Sequence, residues 1–284
     1  MMDLAEIRRL VIIALFADDK LMEKFVLKGG NALNLVHSIG MRSSVDIDVS
    51  IPDDFDDVED AKKRIFASLK DRFDSAGLIV FDEKFSPKPS RLRPGQSARW
   101  GGYLIEFKLT TRAHYDQNKN DLGLLQRSAL LIGNEQRRVF KIDISKYEFC
   151  QPKQEAELDD YTIYVYSLPM IAIEKLRAIC QQMPEYQHRP YSKARARDFY
   201  DIHTIIKAGA LDLTTPENVE LLKHIFEAKE VPLWLLSKIA ETRDFHAVDW
   251  PAVQQSATGR LEPFDFYFDF VVVLVGRLKT LGVI

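Results

Sequence analysis

Cysteine is almost absent: Cys150 and Cys180 are the only two in 284 residues, and they form no C-x-x-C spacing. That excludes a disulfide framework and a thiolate metal site, and it sets the expectation of a reducing, cytoplasmic location. The six histidines show no H-x-x-x-H or related spacing, so zinc is not expected by that route either. No serine or cysteine sits in a nucleophile-elbow pattern. A global basic excess is also missing, since the formal net charge is −3. A protein that coats nucleic acid over its whole surface would carry the opposite balance. Long uncharged apolar runs are lacking too. The segment FDFYFDFVVVLVGRLK is broken by Asp265 and Asp269. It falls short of the ~18–20 apolar residues of a membrane span and reads as a buried terminal helix. The apolar stretch in MMDLAEIRRLVIIALFADDK follows Asp3 and Glu6, with no small-residue cleavage site after it. It reads as an amphipathic helix rather than a signal peptide.

What remains is an ordinary globular balance, 46 % apolar and 29 % charged, long enough for one large domain or two small ones. Basic residues cluster locally: Arg91, Arg93 and Arg99 in one loop, Arg189, Lys193, Arg195 and Arg197 in another. Residues 3 to 18 open on Asp3 and Glu6 in capping-box spacing and carry an apolar face, which predicts a helix. FVLKGGNALNLVHSIG reads as a short strand, a glycine turn and a short helix. In SSVDIDVSI, Val45, Ile47, Val49 and Ile51 alternate with polar neighbours, the period of a strand with one buried face. A helix is predicted over 57 to 75, strands over 78 to 81, 103 to 109, 139 to 145 and 161 to 167, and a long loop or open hairpin over SPKPSRLRPGQSARWGG. After Pro169 the texture is helical. The expected class is α/β (α+β), a mixed sheet with flanking helices followed by a mostly helical half, divided as 1–160 and 161–284.

The chemistry concentrates in the first half. Asp46 and Asp48 are two apart on a predicted strand, so both carboxylates leave the same face while Ile47 and Val49 point into the core. Two adjacent carboxylates repel unless a cation lies between them, and an all-oxygen site suits Mg²⁺ or Mn²⁺. Taken alone, D-x-D also describes solvated surface carboxylates. Just upstream, Lys28-Gly29-Gly30-Asn31-Ala32 falls between the strand and the helix, where glycines let the backbone approach a phosphate. A plain tight turn is the other reading of that segment. The order of strand, Gly-Gly turn, helix and D-x-D strand is the arrangement that phosphoryl transfer requires.

At this point the sequence resembles a family. KGGNALNLVHSIGMRSSVDIDVS is similar to the first motif of the AbiEii/AbiGii toxin nucleotidyltransferases, a group that includes the MenT toxins and has the polymerase-β-type nucleotidyltransferase fold. LPMIAIEKLRAIC resembles a second-half helix of that family with its lysine, here Lys175. RARDFYDIH resembles its closing R-x-R-D-x-x-D-I element, here Arg195, Arg197, Asp198 and Asp201. The resemblance covers roughly residues 25 to 205. Asn31 departs from it, standing where the family usually has Thr or Ser.

The resemblance implies that Asp46 and Asp48 hold a divalent metal and the triphosphate, with Lys28, Gly29, Gly30 and Asn31 around the phosphates. A third carboxylate is expected from a neighbouring strand, either Asp143 in FKIDIS or Glu106 in LIEFK, as metal ligand or proton acceptor. An ordinary solvent-facing carboxylate is the other reading of each. Lys175 is either a snorkelling surface cation or the cation on the triphosphate. The family match assigns it the second role, gives Asp198 a catalytic role beside it, and leaves Asp201 as structural and Arg197 open. By this reading the second half contributes Lys175 and Asp198 to the site, and Lys175→Ala is expected to slow transfer at little cost in stability. Arg42 precedes the D-x-D strand and is a candidate phosphate or base contact. The implied reaction moves a nucleoside monophosphate from an NTP to a hydroxyl, with the 3′ end of tRNA as acceptor. The two arginine loops would meet the RNA backbone, with Trp100 or Tyr191 to stack on bases. A cognate antitoxin and a part in phage defence follow from the same resemblance. The alternatives are a protein side chain or small molecule as acceptor, or a regulator that binds nucleotide without catalysis.

Overall fold

The helix that opens the chain forms where its capping signal lies. Asp3 caps α1 (Leu4–Phe16), its carboxylate accepting from the Glu6 amide at 2.7 Å, and Ile7, Val11, Ile12 and Leu15 line the buried face. The computed structural model describes residues 3–39, 46–92, 94, 97, 99–133, 136–188, 191–257 and 260–284. Arg42, Arg93 and Arg189, all singled out by the sequence, lie outside those residues.

Two compact units emerge: Met1–Asn31 with Ser44–Leu92 and Gly101–Val165, and Ala32–Ser43 with Arg93–Trp100 and Tyr166–Ile284. The first continues from α1 into α2 (Asp19–Lys24), β1 (Val26–Lys28) and the start of α3 (Gly29–Leu35). β2 (Ile47–Ser50), α4 (Val58–Ser75), β3 (Leu78–Lys88) and β4 (Gly102–Thr111) follow. Next come α5 (Arg112–Asn118), α6 (Leu122–Ser128), β5 (Phe140–Ser145), β6 (Lys153–Leu158) and β7 (Tyr161–Tyr166). The strands make one seven-stranded sheet in the order β3-β4-β5-β2-β1-β7-β6. It is mixed as expected: β2 runs parallel to β5 and β1 to β7, while β1–β2, β3–β4 and β4–β5 are antiparallel. Parallel pairing requires crossover connections, and the long excursions between β2 and β5 and between β1 and β7 supply them.

One sheet face is apolar throughout its centre. Leu27, Ile47, Val49, Ile105, Phe107, Ile142 and Ile144 are all 0 % exposed. α4 lays Ala61, Ile65, Leu69 and Phe73, each four residues on from the last, towards that core, and Phe73 meets Phe107 with ring centres 5.9 Å apart. The opposite face carries the polar residues of β1, β2, β4 and β5.

Four elements were not anticipated. α2, α5 and α6 are each only six or seven residues long, too short to develop a period. β6 reads KQEAEL, lies at the edge of the sheet and buries only Leu158, so it lacks the alternation of an inner strand. β3 also runs on to Lys88 instead of stopping near 81. It passes a bulge between Phe81 and Lys84, where Asp82 has φ +52°. The bulge breaks the alternation that the sequence would otherwise have displayed.

The second unit is helical. It holds α7 (Leu168–Cys180), α8 (Ala196–Ala208), α9 (Pro216–Glu227), a 3₁₀ segment (Leu233–Thr242), α10 (Arg243–Ala247), α11 (Trp250–Ser256) and α12 (Phe264–Thr280). Phe199 of α8 packs on Phe264 and Phe268 of α12, with ring centres 5.5 and 5.2 Å away. α12 is buried on one face only: Phe266 is 49 % and Val273 64 % exposed. Among the described residues no helix is long and apolar enough to cross a membrane.

Candidate active site

β1 ends at Lys28 and the chain turns at once into α3. Gly29 makes that turn with φ +67°, a conformation that strains any residue bearing a Cβ. A Cβ at Gly29 would lie 3.0 Å from Oδ2 of Asp48. The glycine thus leaves room immediately beside the second carboxylate of the D-x-D pair. Lys28 is the direct partner of Asp48 across β1 and β2. Its side chain is nearly buried, however, and its ammonium donates to Ser145 Oγ at 3.2 Å and lies 3.8 Å from Glu148 Oε1. Ser145 and Glu148 thus stand among the neighbours of the Lys28 ammonium. Asn31 is 1 % exposed and donates from Nδ2 to the main-chain oxygen of Asp46 at 2.8 Å. It ties the glycine turn to the start of β2.

The sheet register decides which acidic strand residue stands next to the pair. Asp48 of β2 is matched with Asp143 of β5, and in-register residues of neighbouring strands project from the same face at about 4.8 Å spacing. Glu106 is one strand further away, on β4, opposite Lys141 and 3.4 Å from its ammonium. Asp143 forms an ion pair with Lys88, and Asp46 lies 3.7 Å from Arg137. The donors are all carboxylate oxygens, chemistry that fits a hard divalent cation, and the glycine leaves space at Asp48. Among the described residues no group of three or more His, Cys, Asp or Glu side chains is gathered to hold a metal ion. Asp48 and Asp143 stand side by side on one sheet face, whereas Asp46, expected on the same strand, falls in the bend just before β2; cations lie against Asp46 and Asp143.

The second unit carries its own charged cluster. Ser167 caps α7, its hydroxyl accepting from Met170, and one face of the helix presents Lys175. The Lys175 ammonium lies 2.6 Å from Asp201 Oδ2 and 3.1 Å from Asp198 Oδ1, and Arg195 donates through Nε to Asp198 Oδ2. The side chains of Lys175, Asp198 and Asp201 are only 14 %, 6 % and 5 % exposed. Burial by itself would lower the pKa of Lys175, but attraction to Asp201 and Asp198 outweighs it and raises the value. Burial would raise that of Asp198, yet Arg195 and then Lys175 hold it well below the usual carboxylate range. The same balance raises Arg195. Lys175, Asp198 and Arg195 are therefore charged at neutral pH. Lys175 is not a surface cation, which corrects the expectation that Lys175→Ala costs little: its removal takes the ammonium from buried Asp201 and one of two cations from buried Asp198. Arg195 makes the contact to Asp198, whereas Arg197 is exposed. Asp201, read from sequence as structural, is the nearer partner of Lys175.

Sequence reasoning missed His246. It is 0 % exposed, and its Nδ1 accepts from the Arg195 amide at 3.0 Å. Nothing in the run DFHAVDW signals this, since the contact joins positions fifty-one apart. Of the basic loops, Arg91, Arg99 and Lys193 are exposed, and Tyr191 is 78 % exposed.

The sequence profile of a family described as nucleotidyl transferase AbiEii toxin, Type IV TA system, matches residues 13–270. The chain belongs to the AbiEii nucleotidyltransferase toxin family. Its similarity to solved structures lies in the fold. A candidate nucleotidyltransferase from H. pylori aligns with TM-score 0.50 and 15 % identity over 98 % of this chain and 95 % of that one. JHP933 from Helicobacter pylori aligns at 0.49 and 15 %, over 98 % and 91 % of the two chains. An antigenic nucleotidyltransferase-like protein from Paracoccidioides brasiliensis aligns at 0.38 and 12 %, over 89 % and 95 %. No curated protein matches. The AbiEii match takes in both the glycine turn with its D-x-D strand and the Lys175–Asp198 helices. The chain is accordingly a nucleotidyltransferase and a toxin of a toxin–antitoxin system.

Proposed function

We propose that this AbiEii enzyme transfers a nucleoside monophosphate from an NTP to a hydroxyl acceptor, the 3′ end of a tRNA, and releases pyrophosphate. The observation that carries this reading is Asp48, in register with Asp143 and with the Cβ-less Gly29 against its carboxylate. Asp46, Asp48 and Asp143 would hold Mg²⁺ or Mn²⁺, which when bound neutralises phosphate charge as a Lewis acid. Gly29 and Gly30 let the main chain approach the triphosphate without a side chain between. Asn31 keeps Asp46 in place through its main-chain oxygen. Asp143, ion-paired with Lys88, would serve either as the third metal ligand or as acceptor of the proton of the attacking hydroxyl. Lys175, kept charged by Asp201 and Asp198, is assigned the negative charge that builds as pyrophosphate leaves.

Exposed Arg91, Arg99, Lys193 and Arg197 supply charges for an RNA backbone, and exposed Tyr191 a stacking surface. The toxin–antitoxin description of the family supports a cognate antitoxin as partner. The test is incubation of the protein with total RNA, Mg²⁺ and each α-³²P NTP in turn. Label on a tRNA-sized band is expected. Label confined to protein would replace the RNA acceptor with a protein side chain, and nucleotide binding without any pyrophosphate release would leave a non-catalytic regulator.

A further inference from the structure

The mechanism above makes no use of His246, although it is among the most buried polar side chains. Its Nδ1 accepts the Arg195 amide at 3.0 Å, and its ring is wedged between Phe199 and Phe245, with centres 5.2 and 5.0 Å away. Arg195 is the N-cap of α8, and its side chain gives that helix no capping bond. It grips Asp198 twice instead. Its main-chain oxygen accepts the Asp198 amide at 2.9 Å, and its guanidinium pairs with the Asp198 carboxylate. Asp198 in turn holds Lys175. The contacts therefore run without a gap from His246 through Arg195 and Asp198 to Lys175.

Packing alone does not account for an imidazole at this position. A phenylalanine or leucine would fill the aromatic surroundings without a polar atom. The second ring nitrogen, Nε2, is buried and makes no hydrogen bond among the described residues. The bond to Arg195 is thus the feature that separates histidine from an apolar residue of similar size. Burial also keeps the ring neutral, lowering its pKa to about 4, so Nδ1 remains an acceptor at neutral pH.

We infer that His246 is a positioning residue for nucleotidyl transfer: by pinning the Arg195 backbone it fixes the Asp198 carboxylate and, through it, the Lys175 ammonium. This rests on the functional role assigned to Lys175 above. It predicts that an acceptor at the place of Nδ1 is what matters. Asparagine supplies one there and phenylalanine does not.

The test compares transfer by the wild type, H246N, H246F and Lys175→Ala at saturating Mg²⁺, together with hydrogen exchange at the Arg195 amide. H246F is expected to lose about tenfold in kcat with KM for NTP unchanged, the rate equivalent of roughly one lost positioning hydrogen bond. H246N should stay within about twofold of wild type, a difference below one hydrogen bond. The Arg195 amide should exchange quickly only in H246F. Equal kcat in H246F and H246N would overturn the proposal. Wild-type turnover in Lys175→Ala would overturn the role of the whole cluster, a failure distinguishable from loss of the His246 link alone. If H246F does not fold, long-range ¹H–¹⁵N spectra of the wild-type ring decide. A proton on Nε2 with bare Nδ1 is expected, and a proton on Nδ1 would overturn it.

Discussion

Asp48 and Asp143 are register partners on two parallel neighbouring strands, so their carboxylates project side by side from one face of the sheet. Like charges at that spacing repel, and a divalent cation held between them lowers that repulsion in addition to the Lys88 ion pair on Asp143. Divalent metal should therefore stabilise the fold through this pair. At metal concentrations near 100 times Kd the gain is about 2.7 kcal/mol, which a thermal shift with Mn²⁺ would detect. Asp48→Ala should keep metal-free stability within about 1 kcal/mol, because the side chain is not core, and should lose most of the shift. A full Mn²⁺ shift in Asp48→Ala would place the metal elsewhere.

Gly29→Ala is expected to damage both fold and activity. The residue sits at φ +67°, and the new methyl would meet Asp48 Oδ2 at 3.0 Å. The left-handed backbone alone costs about 1–2 kcal/mol for a residue with a Cβ. Urea unfolding should show a loss of that size, with transfer falling more than stability explains. Unchanged activity would mean that nothing needs the space beside Asp48.

Lys175→Met should destabilise by about 3 kcal/mol, since buried Asp201 loses its ammonium partner and buried Asp198 is left with Arg195. A double change, Lys175→Met with Asp201→Asn, should recover part of that loss while transfer stays low. Denaturant midpoints and turnover measured on the same preparations separate the two effects. If the single variant is as stable as wild type, the cluster is more open to water than its burial indicates.

The acid limb of the stability curve should carry the signature of His246. Its pKa falls from 6.5 to about 4 on folding, chiefly through burial. The unfolded chain therefore takes up this proton near pH 6.5 and the folded chain only near pH 4. The contribution is present above pH 6.5 and is lost as pH falls between those values, by about 3 kcal/mol. H246N should flatten this limb. An unchanged slope in H246N would assign the titration to another group.

How much of this was legible in sequence differs from residue to residue. The strand bearing Asp48 was, because Ile47 and Val49 alternate with Asp48 and Ser50 and period two is a local property, although it begins one residue after Asp46. The cap on α1 was readable for the same reason. Which of Asp143 and Glu106 stands beside Asp48 was not, because it depends on which strand pairs with β2 and in what register, and the pairing is set by contacts nearly a hundred residues apart. β6 escaped because an edge strand buries little. Lys175 and Asp198 were found only through family resemblance, and their burial, which changes the expected cost of removing the lysine, arises from helix packing. His246 has no local signal at all, and only the folded chain brings it to Arg195.

The most direct test of the central claim is incorporation of α-³²P label into RNA by wild type, Asp48→Asn and Asp143→Asn side by side at saturating Mg²⁺. These replacements keep shape and remove charge. The account predicts label on RNA for the wild type, and a fall of about a hundredfold or more for both variants with the fold intact. Label at the wild-type rate from Asp48→Asn would contradict it, and the transfer site would have to lie away from the β2–β5 carboxylates.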